Sequence, residues 1–416
     1  MYTKLNNASL EFRKKIQEYL EIKHSPFLFW KGRVALYVLL KALDIKAEDE
    51  IIIPAFTCVV VPNPIIYLQA KPVYVDINPK TFTIDTSKIE EKITSKTKVI
   101  IAQNTFGLSP DLDPILEIAK VYNLFVIEDA AHGFGGTYKG RKVGTIGDAG
   151  FYSTQWNKPF STGIGGIAVT HKEDIAKKLK QFEEKAIRPS IKEILMLKVL
   201  IEVRKKFLNP KIYWLALKTY RKLSKWNLIL GSSQGYELIS PKKPYNFLKG
   251  FSEIQAKEGL KYFEKINGKW KIDLIIKHRK RIAKFYKKIL IDLGFEPVYE
   301  PSYAEHTFLK FPLLVKNRKR FFTLAEKNKI EFGDWFLSPI HPINKNFELW
   351  NYYYGRNPIS EFLARHIVNL PTHEKIDENY IDRIYNFLKK YKDEIIGCSI
   401  PKNVKDSKEY KGKLRW

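Results

Sequence analysis

The sequence predicts an α/β fold with a mostly parallel sheet, helices on both faces of that sheet, and a smaller C-terminal α+β domain. Along the first half of the chain, short apolar runs of strand length alternate with longer segments of helical periodicity. These runs show little polar alternation, which is typical of strands that are buried on both faces. A chain of 416 residues with 44% hydrophobic residues suits one large domain and one smaller domain.

The elements are predicted in the following order along the chain. Residues 1–27 are largely helical, because apolar side chains such as Phe12 and Ile16 recur at loosely helical spacing. A second helix follows Gly32, and strands are predicted at 51–53, 70–77, 99–102, 124–127 and 149–152. A glycine just before a helix leaves backbone N–H groups for an anion. Gly32, Arg33 and Val34 are therefore candidate phosphate ligands.

Polar side chains follow two of the predicted strands. Glu128 and Asp129 come after the run at 124–127, while Ser153 and Lys158 come after the run at 149–152. In open α/β sheets the carboxyl ends of the strands face the ligand. An acid, a lysine and a glycine-rich flank meet the needs of pyridoxal 5'-phosphate (PLP), which bonds to a lysine and needs its pyridine nitrogen protonated. Taken alone, the pair is weak evidence, because an acid at a strand end is often structural and an isolated lysine is far more often a solvated surface residue than a nucleophile.

The residues around this pair form a longer motif. In order, it contains Glu128, Asp129, Ala130, Ala131, His132, Gly147, Asp148, Ala149, Tyr152, Ser153, Lys158, Thr162, Gly163, Gly165 and Gly166. The motif resembles that of the DegT-type sugar aminotransferases, which belong to the fold type I PLP-dependent transferases of the aspartate aminotransferase superfamily. The resemblance covers most of residues 28–392 and leaves the region 187–245 largely outside.

The resemblance implies a role for several individual residues. Lys158 matches the lysine that bonds to PLP, and Asp129 matches the acid that holds a proton on the pyridine nitrogen. His132 matches the residue that lies against the cofactor ring, and Ser153 matches a phosphate ligand. No metal site is implied.

The chain departs from the family pattern at three positions. Arg33 replaces a threonine of the phosphate cradle, where a guanidinium can add a charge-assisted contact. Cys58 replaces the aromatic residue that stacks on the pyridine ring. Either the stacking on the pyridine ring is weaker in this chain, or His132 and a neighbour such as Phe56 supply it. Ile164 replaces a glutamate, which affects the local loop.

The family helix start Ser-Glu-Ile-Gln-Ala is present at 252–256. In the family, an asparagine shortly upstream reaches the cofactor phosphate of the partner subunit, which implies a homodimer. Asn246 is the candidate, although its spacing to Ser252 is about two residues longer than the pattern. The expected domains are a large PLP-binding domain at 1–245, a small domain at 246–396 and a flexible tail at 397–416.

The chain carries a net charge of +27. Such a charge concerns partners and surfaces rather than the fold. The sequence has no zinc-finger spacing, helix-turn-helix signature or aromatic-basic RNA motif, so nucleic acid is not expected. A lysine-rich surface, an anionic nucleotide-sugar substrate and an anionic membrane remain as explanations.

Cysteine usage and hydropathy indicate the compartment. Cys58 and Cys398 are too few and too distant for a disulfide framework or a metal site. The chain shows neither a signal peptide nor an apolar run of roughly 18 residues. A cytoplasmic protein is expected, with peripheral contact at the inner membrane face as an open alternative.

The stretch 187–226 is dense in basic residues interleaved with apolar ones. One interpretation is a pair of helices that pack on the body of the protein and expose a solvated basic face. The other is a surface that lies on anionic lipid, to which Arg204, Lys205 and Lys206 contribute charge, with its tryptophans at the headgroup level.

The function expected from the resemblance is amino transfer from an amino-acid donor, glutamate, to a nucleotide-linked keto sugar in surface-glycan or amino-sugar biosynthesis. One alternative is a PLP-dependent sugar dehydratase, but dehydratases of this kind carry histidine in place of the lysine, whereas Lys158 is present. The other alternative is a non-catalytic regulatory or membrane-associated protein on the same fold.

Overall fold

The computed structural model describes residues 7–207, 213–226, 229–231 and 235–401. The strands are β1 (Phe27–Phe29), β2 (Glu50–Pro54), β3 (Thr57–Cys58), β4 (Lys71–Val75), β5 (Thr97–Gln103), β6 (Phe125–Asp129), β7 (Thr137–Tyr138), β8 (Arg141–Lys142), β9 (Ala149–Ser153), β10 (Gly166–Thr170), β11 (Lys265–Ile266), β12 (Lys269–Trp270), β13 (Phe311–Val315), β14 (Ile340–His341), β15 (Ile367–Leu370) and β16 (Ile395–Gly397). The α-helices are α1 (Asn7–Leu20), α2 (Gly32–Ala42), α3 (Pro62–Ile66), α4 (Leu112–Val121), α5 (Glu173–Glu184), α6 (Ile191–Phe207), α7 (Tyr213–Lys225), α8 (Glu253–Leu260), α9 (Lys271–Asp292), α10 (Arg318–Lys327), α11 (Pro358–His366) and α12 (Glu378–Lys390).

The centre of the molecule is a seven-stranded sheet with the order β1-β10-β9-β6-β5-β2-β4. Strands β9, β6, β5, β2 and β4 are parallel to one another. Strand β10 runs antiparallel to β9, and β1 runs antiparallel to β10. The predicted α/β fold with a mostly parallel sheet is confirmed, and each of the five predicted strands overlaps a strand of this sheet, although the prediction at 70–77 is longer than β4.

Both faces of the sheet are covered by helices. Along β2, Ile51 and Ile53 pack into one core with α2, α3 and α5. The intervening Ile52 packs into the other core, which contains residues of α1, α4 and α8. Because successive side chains of a strand point to opposite faces, a strand buried on both sides needs an unbroken apolar run. This requirement explains why the strands could be predicted from such runs.

The small domain is built on the antiparallel sheet β15-β13-β16, which packs against α9, α10 and α12. Helix α9 belongs to both parts of the molecule. Its Ile272 and Ile276 pack in the large core, whereas Ile282 and Tyr286 pack in the core of the small domain. The predicted domain boundary at 246 stays a prediction. The hydrophobic cores of the two parts meet within α9, not before α8.

The region outside the family resemblance leaves and rejoins the body at one point. Ile187 forms a parallel bridge to Lys249, and Phe29 of β1 forms an antiparallel bridge to Gly250. The Ile187 N–H donates to the Leu248 carbonyl oxygen at 3.0 Å. Residues 188–248 are therefore an insertion closed at its base, and they carry α6 and α7 where two helices were expected.

The C-terminal segment enters the small domain before the described chain ends. Gly397 pairs with Leu314 in β13, and the Cys398 side chain is buried. The predicted flexible tail at 397–416 therefore begins with core residues, and its positions from 402 onward lie outside the described residues. Within the described ranges, no helix has both the length and the hydropathy needed to cross a membrane.

Candidate active site

Three parallel strands end side by side at one edge of the central sheet. Gln103 and Asp129, the last residues of β5 and β6, are register partners, and Phe151 of β9 is the next partner of Asp129. Asp129 is buried, and its Oδ1 accepts a hydrogen bond of 3.0 Å from the Ala131 N–H. Burial raises the pKa of Asp129 to about 6, while the Ala131 N–H and the charge of Lys158 oppose that shift. The strand end therefore holds a carboxylate at neutral pH.

Glu128, the neighbouring acid, lies on the opposite face of the sheet because successive strand side chains alternate. Its carboxylate accepts backbone hydrogen bonds from Gly144 at 2.6 Å, Ile146 at 2.6 Å and Gly147 at 2.8 Å. The side chain is fully buried. Glu128 therefore organises the turn at 144–147 and is not part of the predicted site.

Lys158 lies on the loop between β9 and β10. Burial lowers its pKa to about 8; the charge of Lys310 acts in the same direction, while Cys58 and Asp129 act against it. The Lys158 Nζ lies 4.8 Å from the centre of the Trp335 ring. The structure therefore brings the predicted lysine and the predicted acid into one site, with an amine that ionises closer to neutrality than an exposed lysine does.

His132 lies at the same edge and is buried. Its ring stacks on Trp335 with centroids 5.1 Å apart and an interplanar angle of 10°. The Phe106 N–H donates to His132 Nδ1 at 3.3 Å. Burial, together with the charges of Lys158 and Lys310, holds the pKa of His132 well below its ordinary value. His132 is therefore a neutral ring whose Nδ1 acts as an acceptor.

A parallel pair of short strands attaches a small-domain segment to this edge. The Thr57 N–H donates to the Pro339 carbonyl oxygen, and the Val59 N–H donates to the His341 carbonyl oxygen, both at 2.8 Å. This pairing of β3 with β14 holds the preceding segment, which contains Trp335, against the ends of the large-domain strands. The site therefore receives side chains from both domains.

Whether His132 and Phe56 supply the stacking on the cofactor ring that Cys58 lacks stays a prediction. Phe56 packs on Phe336, with centroids 5.0 Å apart, and on Phe106, with centroids 6.1 Å apart. The ring stacked on His132 is that of Trp335, and Phe336 lies next to it with its centroid 6.0 Å from that of His132.

The Gly32 end of α2 lies against Ser153. A Cβ added at Gly32 would lie 3.0 Å from the Ser153 Cβ and 3.2 Å from its Oγ. Only glycine fits this approach without displacing Ser153. The two predicted phosphate ligands are thus brought together where the helix N-terminus points to the strand end.

The two other predicted cradle residues have partners within the chain. The Val34 N–H donates to the Lys31 carbonyl oxygen at 3.0 Å. The Arg33 guanidinium forms a buried ion pair with Glu237. The Arg33 side chain thus contacts Glu237 within the insertion, and the binding of phosphate by the backbone at Gly32 and Arg33 stays a prediction.

Asn246 is exposed and lies at the end of the insertion, beside the fully exposed Tyr245. No hydrogen bond within the described residues joins its side chain to Lys158, Ser153 or Gly32. Its assignment to the cofactor phosphate of a partner subunit stays a prediction.

The residues at this edge fit the expected cofactor. Asn104 is buried, and both polar atoms of its side chain lack a hydrogen-bond partner among the described residues, while its N–H donates to the Asp129 carbonyl oxygen at 2.9 Å. A carboxylate, an amine of lowered pKa, a neutral ring and the Gly32–Ser153 contact lie at the same edge of the sheet. This is the donor set that PLP requires.

Lys310 is a further site residue that sequence reasoning missed. Its Nζ lies 5.5 Å from the centre of the Trp335 ring, on which Lys158 also lies. Its N–H donates to the Phe106 carbonyl oxygen at 3.3 Å. Burial lowers the pKa of Lys310. No local motif marks Lys310 or Trp335, because both reach the site only through the packing of the small domain.

The insertion packs over the loop that carries Lys158. Arg204 of α6 donates to the Trp156 carbonyl oxygen at 2.7 Å and to Asn157 Oδ1 at 3.0 Å. Lys205 forms ion pairs with Glu202 and Glu258. Arg204 and Lys205, which were expected on a lipid-facing surface, therefore contact other residues of the protein. The Lys206 side chain lies outside the described residues.

The packing of α6 also accounts for Ile164. Ile164 is buried in a cluster with Trp30, Leu197, Ile201 and Leu230. A glutamate at this position would place a charge under the apolar side of α6, which is costly without a partner. The loss of the family glutamate and the presence of the insertion therefore have one structural explanation.

Helix α7 extends the insertion onto the small domain. The Trp214 Nε1–H donates to the Ile330 carbonyl oxygen at 3.0 Å, and the Trp214 ring packs edge-on against Phe322. Lys218 forms an ion pair with Glu326 at 2.5 Å. The insertion thus connects the Lys158 loop to the small domain.

Comparison with known proteins tests the resemblance. The model of the DegT/DnrJ/EryC1/StrS aminotransferase family matches residues 1–197 and 251–389. The chain belongs to this family. The unmatched residues between the two segments coincide with most of the insertion and include α7 and the end of α6.

Individual relatives agree with this assignment. An uncharacterized protein of Methanocaldococcus jannaschii is 30% identical over 92% of this chain and 89% of its own length. A GDP-perosamine synthase of Caulobacter vibrioides is 39% identical over 44% of this chain and 48% of its own length. The structure of NtdA from Bacillus subtilis with bound cofactor PMP has a TM-score of 0.68 and 24% identity, covering 93% of this chain and 77% of that one.

Family membership confirms three expectations. The chain is an aminotransferase-family enzyme, its fold is that of fold type I, and the family depends on PLP. The individual roles of Lys158, Asp129, His132 and Ser153 stay predictions that the geometry supports.

The lowered pKa of Lys158 leads to a testable pH dependence. Only the neutral amine can bond to the cofactor, so the rate at which apoprotein binds PLP should rise with pH around a midpoint near 8. Replacing Lys310 with methionine removes a like charge and should move this midpoint upward. Stopped-flow absorbance across a pH series would measure it. Lys120→Met is the matched control, because Lys120 is exposed near the end of α4. Equal midpoints in the wild type and Lys310→Met would contradict the prediction.

Proposed function

We propose that the protein transfers an amino group from glutamate to a keto sugar linked to a nucleotide, in surface-glycan or amino-sugar biosynthesis. The observation that carries this proposal is the juxtaposition of Lys158, with its lowered pKa, and the buried carboxylate of Asp129 at the strand ends. A relative named GDP-perosamine synthase and another named spore coat polysaccharide biosynthesis protein support the sugar and the pathway class.

Each residue has a distinct task in this proposal. When bound, PLP supplies an electron sink that stabilises negative charge at the substrate carbon. Lys158 holds the cofactor through its Nζ and, once released, moves a proton at the substrate carbon. Asp129 holds a proton on the pyridine nitrogen. His132, which is neutral and stacked on Trp335, would lie against the cofactor ring and exclude water from one side of the site.

The charge of the site favours an anionic substrate. Lys310 and Lys158 lie on the same indole ring, and Arg204 is among the charges that act on the pKa of Lys310. Burial partly desolvates the Lys310 ammonium, so this group would bind an incoming carboxylate or phosphate more strongly than an exposed lysine does. The substrate diphosphate and the donor carboxylate both meet this requirement.

Two alternatives are less well supported. A sugar dehydratase of this family is disfavoured by the presence of Lys158. A non-catalytic regulator has one supporting observation, a Geobacillus stearothermophilus relative named pleiotropic regulatory protein that is 38% identical over 38% of this chain. The intact set of Lys158, Asp129 and Ser153 favours catalysis.

The decisive experiment uses purified, PLP-loaded protein and a panel of keto-sugar nucleotides. Glutamate and glutamine should be tested as donors, because relatives named as glutamine-dependent aminotransferases also match. Loss of the visible absorbance of bound PLP on adding a donor, followed by amination of one panel sugar, would support the proposal. Absorbance that no donor changes would favour the regulator.

The proposed enzyme acts in the cytoplasm, where nucleotide sugars are made, and forms a homodimer in which Asn246 serves the partner's site. The exposure of Asn246 and Tyr245 on the single chain supports this arrangement. Sedimentation velocity should show a dimer, and Asn246→Ala should weaken PLP binding. A fully active monomer at assay concentration would refute the shared site.

A further inference from the structure

Helix α6 is apolar on two opposite sides. Its Leu197 and Ile201 are buried against Ile164 and Trp30. On the other side, the exposed fractions are 78%, 56%, 60% and 46% for Ile191, Leu195, Val199 and Val203. Residues four apart lie on one ridge of a helix. We call these four side chains the α6 stripe.

The α6 stripe is the clearest part of a wider concentration of exposed apolar side chains. Of the seventeen large apolar side chains that stand out as exposed among the described residues, nine lie between 187 and 245. An apolar side of a helix is normally covered by the rest of the protein or by a partner. Here the buried side fixes α6 on the protein, so the α6 stripe is held outward in a defined direction.

Cations accompany the α6 stripe. Arg188, Lys192 and Lys198 are exposed on or next to α6, and no ion pair of theirs is seen in the ranges that the structure describes. The two acids of α6 are engaged, Glu193 with Lys249 and Glu202 with Lys205. The surface around the α6 stripe is therefore apolar in its middle and positive at its margins.

We propose that the α6 stripe is a docking surface for an anionic lipid bilayer. Aliphatic side chains at the level of the acyl boundary, with lysine and arginine in the headgroup layer, are what an interfacial helix requires. Anionic headgroups would satisfy Arg188, Lys192 and Lys198, and the acyl region would cover the aliphatic ridge. Within the described residues no helix can cross a membrane, so α6 lies on the bilayer.

A second copy of the chain fits this surface less well. In a two-fold dimer the same patch faces itself. Two α6 stripes in contact would bring their unpaired cations together, on a chain whose net charge is already +27. An anionic bilayer covers the apolar ridge without that repulsion.

The experiment measures flotation of the PLP-loaded, full-length protein with vesicles. Vesicles of phosphatidylcholine with phosphatidylglycerol should bind the wild type, vesicles of phosphatidylcholine alone should bind it much less, and salt should weaken the binding. The double variant Leu195→Glu/Val199→Glu should lower the partition coefficient by at least about tenfold, because two aliphatic side chains no longer enter the acyl boundary.

A matched variant separates the α6 stripe from a general effect of added charge. Val121→Glu/Ile291→Glu adds the same charge at side chains exposed by 71% and 58% elsewhere on the surface, and should bind vesicles as the wild type does. Amino transfer and the circular dichroism spectrum should be unchanged in both variants. Because vesicle binding is read without substrate, failure of this proposal is distinguishable from failure of the proposed function.

Three outcomes would overturn the proposal. The first is equal binding of the wild type to both kinds of vesicle. The second is equal loss of binding in the two double variants. The third is a sedimentation result in which Leu195→Glu/Val199→Glu converts a dimer to a monomer while the matched variant stays dimeric, which would identify the α6 stripe as a contact between copies.

Discussion

Replacement of Lys158 with alanine should abolish amino transfer and leave the fold intact. Only a primary amine can bond to the cofactor and then move a proton at the substrate carbon. The loss should be on the order of 10⁴-fold or more, as for removal of a group that acts covalently. Folding should survive, because the Lys158 loop is held by Arg204 at Trp156 and Asn157 rather than by the lysine side chain.

The measurement should combine single-turnover amino transfer with the visible absorbance of bound PLP. Lys158→Arg is the matched control, since it keeps a cation over Trp335 but provides no reactive amine at neutral pH. Both variants should lack the absorbance of covalently attached cofactor. Wild-type turnover in either variant would remove Lys158 from the mechanism.

A second amine near the site makes a further control necessary. Lys310 reaches the same Trp335 ring, and its lowered pKa increases the fraction of reactive amine. If residual activity in Lys158→Ala comes from Lys310, the double variant Lys158→Ala/Lys310→Met should lose it. Residual activity that persists in the double variant would have to come from elsewhere in the chain.

The parts of this site that the sequence predicted are local in sequence. Asp129 and Lys158 lie in one continuous motif. Strand β6, which ends at Asp129, and strand β9, which precedes Lys158, are buried on both faces, so their apolar runs are unbroken. Gly32 was predictable as part of a phosphate site because it lies at the start of a helix, in a segment that resembles the family's. In each case the requirement, burial of a strand or a free helix N-terminus, concerns residues that are neighbours in sequence, so the residue types there reveal it.

The parts that the sequence did not predict depend on packing between distant segments. Trp335 and Lys310 come from the small domain, and the pairing of β3 with β14 has no signature in a two-residue strand. In the insertion, too, the sequence does not reveal which side chains contact the rest of the protein. Arg204 and Lys198 are both bases on α6, yet one donates to the Lys158 loop and the other is exposed.

Replacement of Asp129 with asparagine should slow amino transfer on the order of 10²- to 10⁴-fold, the range for a lost acid–base contribution. A neutral amide does not hold a proton on the pyridine nitrogen. The amide oxygen can still accept the 3.0 Å hydrogen bond from Ala131, so the strand end and PLP binding should be retained.

The pH dependence gives this prediction a second readout. The pKa of Asp129 is raised from 3.8 to about 6, so the carboxylate form is populated above about 6. In the cofactor-free protein Asp129 should therefore titrate near 6, and Asp129→Asn should lack this titration. Between 3.8 and about 6 the folded apoprotein binds more protons than the unfolded chain, so its stability should fall as pH rises through this window. Asp129→Asn should remove that contribution from the urea unfolding curve.

Glu128→Gln is the matched control for the loss of one carboxylate at this strand end. Glu128 lies on the opposite face and accepts three backbone hydrogen bonds, so its replacement should lower the free energy of unfolding while the folded fraction keeps the wild-type rate. We expect Asp129→Asn to transfer the amino group slowly while keeping a stable, wild-type-like fold. We expect Glu128→Gln to be less stable but to keep the wild-type rate. These two results together would assign the chemistry to one face of β6. A wild-type rate in Asp129→Asn would show that another group protonates the cofactor.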